Sequence, residues 1–180
     1  MFDIDTFVGD CTAALGESES RRAICDVLSR AIADHSAVAN SLDHSRGGLN
    51  ILYRSPELTV LNVVWAPHMK LQPHDHRMWA AIGVYAGQED NAFYRRQSEG
   101  LTSSGGKELG TGDVIVLGDA TIHAVSNPNR QHTGAIHIYG GDFVATARSQ
   151  WDPETFREDP YDFDGILKQF AAANGDPEAG

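Results

Sequence analysis

The sequence predicts a mostly β protein: a small antiparallel barrel with helices before it and a short helix after it. Three observations carry that expectation. From Leu49 onward the chain is a series of short apolar runs rich in Val, Ile and Tyr, cut by Gly, Pro, Asn and Asp. Runs of that length with turn residues between them mark the strands of a sandwich or barrel. Before Leu49 the apolar residues instead recur at helical spacing. Finally, 180 residues with 41% hydrophobic content suit one compact domain with a sizeable core.

The elements follow in order. Residues 3–15 predict a short helix ended by Gly16. Residues 20–40, SRRAICDVLSRAIADHSAVAN, predict one amphipathic helix, because Ile24, Val27, Leu28, Ala31 and Ile32 fall on a single face. SLDHSRGG is a loop. The strand candidates are ILYRS, LTVLNVVW, WAAIGVY, NAFYRR, GDVIVLG, HAVSN and GAIHIYGG. After Arg148 the chain reads as irregular, WDPETFREDPYDFD, then as a short helix around GILKQFAAA and a loose tail, NGDPEAG. There is no internal repeat and no long linker. The expected organisation is one domain over 1–180, with a helical segment over 1–45, a barrel over 49–148 and a C-terminal wrap over 149–180.

The formal charge is −11 and the pI about 5.0. Such a chain repels phosphate backbones and anionic lipid, so neither nucleic acid nor a membrane is an expected partner. An anionic substrate would need a local cation. No window approaches the apolar length of a membrane span. MFDIDTFVGD lacks the basic-then-apolar layout of a signal peptide, so a soluble cytoplasmic protein is expected. Cys11 and Cys25 match no disulfide or zinc spacing and read as buried thiols. The oligomeric state is not legible.

The chemistry begins at PHDHRMW, residues 73–79. Residues two apart on an extended segment share a face, so His74 and His76 can aim at one ion. Pro73 favours extended backbone before it. A second segment, GTGDVIVLGDATIHAVSN (residues 110–127), opens with a Gly-Asp turn, runs through an apolar strand, breaks at Gly118-Asp119 and then supplies His123 and Asn127. The two segments, in this order, resemble the two motifs of the cupin superfamily, with Gly118 where a proline is more usual. The resemblance implies a double-stranded β-helix that brings His74, His76 and His123 together inside one barrel. Many cupins also place a glutamate four residues after the second histidine of the pair. That position is Ala80, and Glu89, in the apparent turn GQED, reads as a solvated or turn-capping carboxylate. The implied ligand set is three neutral imidazoles, which suit Fe, Zn, Cu or Ni. Such a set leaves a divalent charge uncancelled and favours an anionic ligand such as a thiolate.

A third segment, AIHIYGGDFVATARSQW (residues 135–151), places His137 and Tyr139 on one strand face. Following a cupin second motif, it resembles the S-x-H-x-Y segment of the thiol dioxygenases, the family of cysteine dioxygenase and 3-mercaptopropionate dioxygenase. PHDHRMWAAIGVYAGQEDNAFY is similar to that family's first motif. The resemblance spans about Tyr53 to Trp151. It implies Fe(2+) held by His74, His76 and His123, a small-molecule thiol substrate, and O2 as co-substrate. It implies that Tyr139 hydrogen-bonds near bound thiol and O2, and that His137 orients it. Ala135 replaces the family's relay serine, and Ala81 stands where some members carry a crosslinking cysteine. For the substrate carboxylate the resemblance offers two arginines: Arg54, as in cysteine dioxygenases, and Arg148, nine residues after Tyr139, as in 3-mercaptopropionate dioxygenases. Arg77, Arg95 and Arg96 read as solvated, and Trp79 and Trp151 as cavity walls or core. Two other readings fit the motifs: another metal-dependent cupin enzyme acting on carbon, and a cupin that only binds a small ligand.

Overall fold

The computed structural model describes residues 1–176. Three helices come first: α1 (Ile4–Ala14), α2 (Ser20–Ala33) and α3 (His35–Ser41). Eleven strands follow: β1 (Gly48–Arg54), β2 (Thr59–Trp65), β3 (Lys70–Asp75), β4 (Ala80–Ala86), β5 (Gln88–Arg96), β6 (Leu101–Gly110), β7 (Val114–Leu117), β8 (Ile122–Ser126), β9 (Thr133–Tyr139), β10 (Ser149–Trp151) and β11 (Glu158–Pro160). Helix α4 (Phe163–Ala173) comes last. One sheet has the order β1-β2-β9-β4-β7 and the other β11-β10-β3-β8-β5-β6. From β2 onward the chain passes from sheet to sheet at nearly every step. Antiparallel partners are therefore remote in sequence: β2 with β9, β3 with β8, β4 with β9. This is the expected cupin barrel with helices at both ends. Among the described residues no helix is long and apolar enough to cross a membrane.

The five-stranded sheet is covered on both faces, and this fixes the site's position. Its inner face contributes Leu61, Val63, Trp65, Ile82, Ala135 and Tyr139 to the barrel core. Its outer face contributes Val60, Ala81, Tyr85, Ile136 and Ile138 to a second core, against Ile24, Leu28 and Ile32 of α2. Every residue of β2 and of β9 is consequently buried. A two-sided strand reads as a continuous apolar run rather than an alternating one, so a polar residue inside it stands out. The helices thus hold β9, and with it His137 and Tyr139, as a rigid wall.

Several boundaries differ from the sequence expectation. The helix expected over 20–40 is two helices. Asp34 leaves helical geometry (φ −108°, ψ 59°), and its carboxylate accepts from the backbone N–H of Ala37 at 3.1 Å, capping α3. An Asp side chain competes with the helix ladder in this way. Strand β6, LTSSGGKELG, was not expected, because its serines and glycines carry no strand pattern. It is an edge strand with its residues mostly exposed, and it pairs along the whole of β5. The segment after Arg148 is not irregular throughout: β10 and β11 pair with each other, and β10 extends the sheet beside β3. Of the expected loose tail 174–180, residues 177–180 lie outside the described residues. Trp151 packs with Leu101 and Ile122, and Trp79 packs on the helix side of the sheet and against Gly140. Neither walls the central cavity. Cys11 is fully buried and Cys25 half-buried, and both are free thiols. Burial pushes the Cys11 thiol up to about 12.

The contact between helix and sheet is tight at Gly83 of β4, where an added Cβ would lie 2.6 Å from Cγ1 of Ile32. Overpacking of this kind costs about 1–3 kcal/mol. Gly83→Ala should therefore lower the free energy of urea unfolding by that amount, with a lower midpoint, without changing metal content. An unchanged midpoint would mean that α2 is not pressed against the sheet as described.

Candidate metal centre

The three histidines of the two motifs meet inside the barrel. His74 and His123 are directly paired across β3 and β8. His76 stands just past the end of β3, and its placement depends on the turn there. Arg77 has φ 56°, in the left-handed region. Asp75 is buried; it accepts from the backbone N–H of Ser149 at 2.8 Å and from Nε of Arg77 at 2.6 Å. That clamp ties the HxH turn to β10 and turns His76 inward. Nε2 of His76 lies 3.2 Å from Nε2 of His74 and 3.2 Å from Nε2 of His123. All three rings are buried.

The hydrogen bonds behind the rings decide which nitrogens carry hydrogen. Nδ1 of His74 faces the Gln72 carbonyl at 3.0 Å, so it is the donor and its Nε2 keeps a lone pair. Nδ1 of His123 faces Oδ1 of Asn91 at 2.7 Å. The Asn91 amide is oriented by its own Nδ2, which donates to Glu89 at 3.1 Å. His123 therefore also presents a bare Nε2. Nδ1 of His76 is buried without a partner. A hydrogen on Nε2 of His76 could serve only one of the two lone pairs it faces. Three ring nitrogens thus converge with too few hydrogens among them, which is the donor set of a cation site. Nitrogens about 2.0–2.1 Å from one ion lie about 3 Å apart, so the spacing fits as well. Burial keeps the rings neutral. It lowers His74 to about 4 and holds His76 and His123 well below the usual histidine value, the neighbouring imidazoles adding to the effect.

Tyr139 and His137 lie beside this cluster. The Tyr139 ring meets His76 edge-on at 4.9 Å and stacks on Phe143 at 4.2 Å. Its hydroxyl is 3.0 Å from Nδ1 of His137. Burial raises the Tyr139 hydroxyl well above its ordinary value, so it remains a phenol.

The partner of His137 is the residue that sequence reading placed wrongly. Glu89 is not a solvated turn carboxylate. It is fully buried in β5. Oε2 accepts from Nε1 of Trp65 at 2.7 Å and lies 3.1 Å from Nε2 of His137, and Oε1 accepts from Asn91. Burial alone would push its carboxyl up; the His137 ring and hydrogen bonds from His137, Trp65 and Asn91 outweigh that and hold it below the usual value. The turn in AGQED is real but ends sooner, at Gly87 (φ 82°). The usable signal was alternation: Glu89 and Asn91 are two apart with apolar Phe93 next in the series, as on an inward strand face. Where Ala135 offers no hydroxyl, Glu89 reaches His137 from the opposite sheet.

The two candidate arginines part company. Arg148 is buried, and its Nη1 donates to the carbonyls of Phe143 and Thr146. Its Nε and Nη2 are buried without partners. The guanidinium lies over the rings of Phe143 (4.1 Å) and Tyr161 (3.9 Å). Both rings line the cavity that holds the three histidines, His137, Tyr139 and Trp65. Arg54 is not brought there. It is partly exposed at the end of β1 and makes a two-pronged pair with Asp142 at 2.8 and 2.9 Å. Arg77 and Arg96 are half-exposed and paired with Asp75 and Glu158, and Arg95 is exposed. The cavity is small, about 10 Å³, the space of roughly one water. A roomier groove runs over the outer face of β3, β8 and β5 and holds none of these histidines.

No protein-family model matches the chain. Solved structures similar in fold include an RmlC-like cupin family protein from Methanocaldococcus jannaschii with a double-stranded β-helix (8% identity, 57% of this chain and 86% of that one, TM-score 0.47). Another is a protein from Bacillus halodurans (18% identity, 53% and 71%, TM-score 0.48). A third is the DMSP lyase DddQ from Ruegeria pomeroyi (19% identity, 61% and 53%, TM-score 0.47). At these values the likeness is one of fold, and the barrel described above rests on its own strand order.

His74→Ala, His76→Ala and His123→Ala should each lose most bound metal by elemental analysis while keeping the wild-type circular dichroism spectrum. Replacing His35, His44, His68 or His132 should leave metal content unchanged. Full occupancy in any of the first three variants would remove that residue from the site.

Proposed function

We propose that the protein is a non-haem iron(II) thiol dioxygenase that converts a small carboxylated thiol, of the 3-mercaptopropionate or cysteine type, to its sulfinate. One observation carries this reading: a buried arginine with unpartnered N–H groups beside a cluster of three neutral imidazoles. A buried guanidinium with no carboxylate beside it among the described residues and two nitrogens left without acceptors is unfavourable and calls for an anion. Three neutral ligands leave a divalent ion equally short of negative charge. Arg148 stacks behind Phe143 and Tyr161, two walls of the cavity, so a ligand with two anionic ends, such as a thiolate with a carboxylate, would answer both demands once one of those rings moves. The sequence resemblance points to the same class.

Each residue then has a task. His74, His76 and His123 would hold the metal. Arg148 would take the carboxylate, with the planar fork that suits bidentate binding. Tyr139 offers a hydroxyl at the cavity, and His137 orients it. Phe143, Tyr161 and Trp65 exclude water, which strengthens every charge interaction inside. The cavity is so small that admitting a thiol requires Phe143 or Tyr161 to move. Iron(II) held there would supply the one-electron chemistry that lets O2 react with a thiolate, in the overall change RS⁻ + O2 → RSO2⁻. The two free cysteines suit the reducing cytoplasm, where we place the reaction.

The test is O2 uptake by the iron-loaded protein with cysteine, 3-mercaptopropionate and cysteamine, comparing Arg148→Gln with Arg54→Gln. Removing one partner of a buried charge pair costs about 2–5 kcal/mol, so Arg148→Gln should lower kcat/KM for the acidic thiols about 30-fold or more. Any turnover of cysteamine, which has no carboxylate, should barely change. Arg54→Gln should act as wild type. Loss confined to Arg54→Gln would reverse the assignment. Zinc as the native metal with no uptake on any thiol would sink the proposal.

A further inference from the structure

Glu89 is a fully buried acidic side chain that the reaction as drawn does not use. Packing gives no reason for it. A fully buried position in a strand suits an apolar residue, and a buried carboxylate is costly unless fully hydrogen-bonded. Here it is so bonded: its two oxygens face Nε1 of Trp65, Nε2 of His137 and Nδ2 of Asn91 at 2.7–3.1 Å. Two of those three partners lead back to the cavity by different routes. His137 leads to the Tyr139 hydroxyl at 3.0 Å. Asn91 leads to Nδ1 of His123 at 2.7 Å.

We propose that Glu89 is a positioning residue that sets both the direction of the Tyr139 hydroxyl and the aim of the His123 ring. A carboxylate only accepts, so the hydrogen of a neutral His137 sits on Nε2. Nδ1 of His137 is then an acceptor, and the Tyr139 hydroxyl donates to it. The lone pairs of the phenol oxygen are what the cavity meets. On the other route, the carboxylate fixes the Asn91 amide with its oxygen toward His123, which keeps hydrogen on Nδ1 and leaves Nε2 bare. Outer hydrogen bonds of this kind orient a metal-binding imidazole. One carboxylate on β5 thus links β9 and β8 across the barrel. A glutamine cannot do the same. It offers one acceptor oxygen and an NH2 group to three N–H donors. Turned to donate to His137, it drives the ring hydrogen to Nδ1 and reverses the hydrogen bond to Tyr139.

The inference depends on the thiol dioxygenase reading only for its effect on turnover, and the experiment separates the two. The zinc-loaded, ¹⁵N-labelled full-length protein is examined by histidine side-chain NMR, with the His137 signals assigned by their loss in His137→Gln. Wild type should show His137 as the Nε2–H tautomer. Glu89→Gln should shift it to the Nδ1–H form, weaken zinc binding about 10–100-fold, and lower thiol-dependent O2 uptake of the iron form by a similar factor. A wild-type ring in the Nδ1–H form would overturn the proposal. So would a Glu89→Gln protein with unchanged ring signals and zinc affinity. If Glu89→Gln does not fold, the wild-type tautomer decides alone. If wild type takes up no O2 but the ring and zinc results hold, the dioxygenase reading falls and this one stands.

Discussion

The structure turns on a contact that is unfavourable by itself: Nε2 of His76 lies 3.2 Å from Nε2 of both His74 and His123 inside the barrel. Lone pairs converge there only because each ring is held from behind. The Gln72 carbonyl holds His74, and the Asn91 amide holds His123. His76 has no hydrogen bond behind it, and its position is set by the Asp75, Arg77 and Ser149 clamp at the end of β3. Burial keeps the rings neutral, and neutral rings are the ones that bind metal. A cation held there would resolve the contact. Carried by neutral ligands, it would then ask for negative charge, and Arg148 repeats that demand on the other side of Phe143.

The fold serves this arrangement through double coverage of the five-stranded sheet. Helices α1–α3 seal its outer face, so β2 and β9 have no solvent side. A buried strand packed on both faces has few alternative rotamers. His137 and Tyr139 are therefore presented from a rigid wall, while the ligands come from the facing sheet. Glu89 crosses between the two sheets and joins Trp65, His137, Tyr139, Asn91 and His123 in one chain of hydrogen bonds.

Much of this was legible in the sequence, and the failures have physical causes. His74, His76 and His123 were found because strand periodicity and a histidine pair leave a mark at short range. His137 and Tyr139, which line the same cavity, and Arg148, which stacks behind two of its walls, were singled out through resemblance rather than spacing. Glu89 was missed because Gly87 makes GQED look like a turn, and because a charged residue reads as solvent-facing unless its partners are known. Those partners, Trp65 and His137, are 24 and 48 residues away. The ion pair of Arg54 with Asp142, 88 residues on, is hidden from local pattern in the same way. Strand β6 is held by pairing along β5 rather than by its own residues. Local pattern finds what local physics decides, and a barrel of remote antiparallel pairs decides much of its interior elsewhere.

The central claim is that one ion sits among the three imidazoles with Arg148 within reach of a shared anionic ligand. A crystal structure of the iron-loaded protein with 3-mercaptopropionate, with iron located by anomalous scattering, tests it directly. The account predicts a single peak bonded to Nε2 of His74, His76 and His123, with the ligand sulfur toward the metal and its carboxylate on Arg148. No peak there, or a carboxylate bound to Arg54 instead, would contradict it.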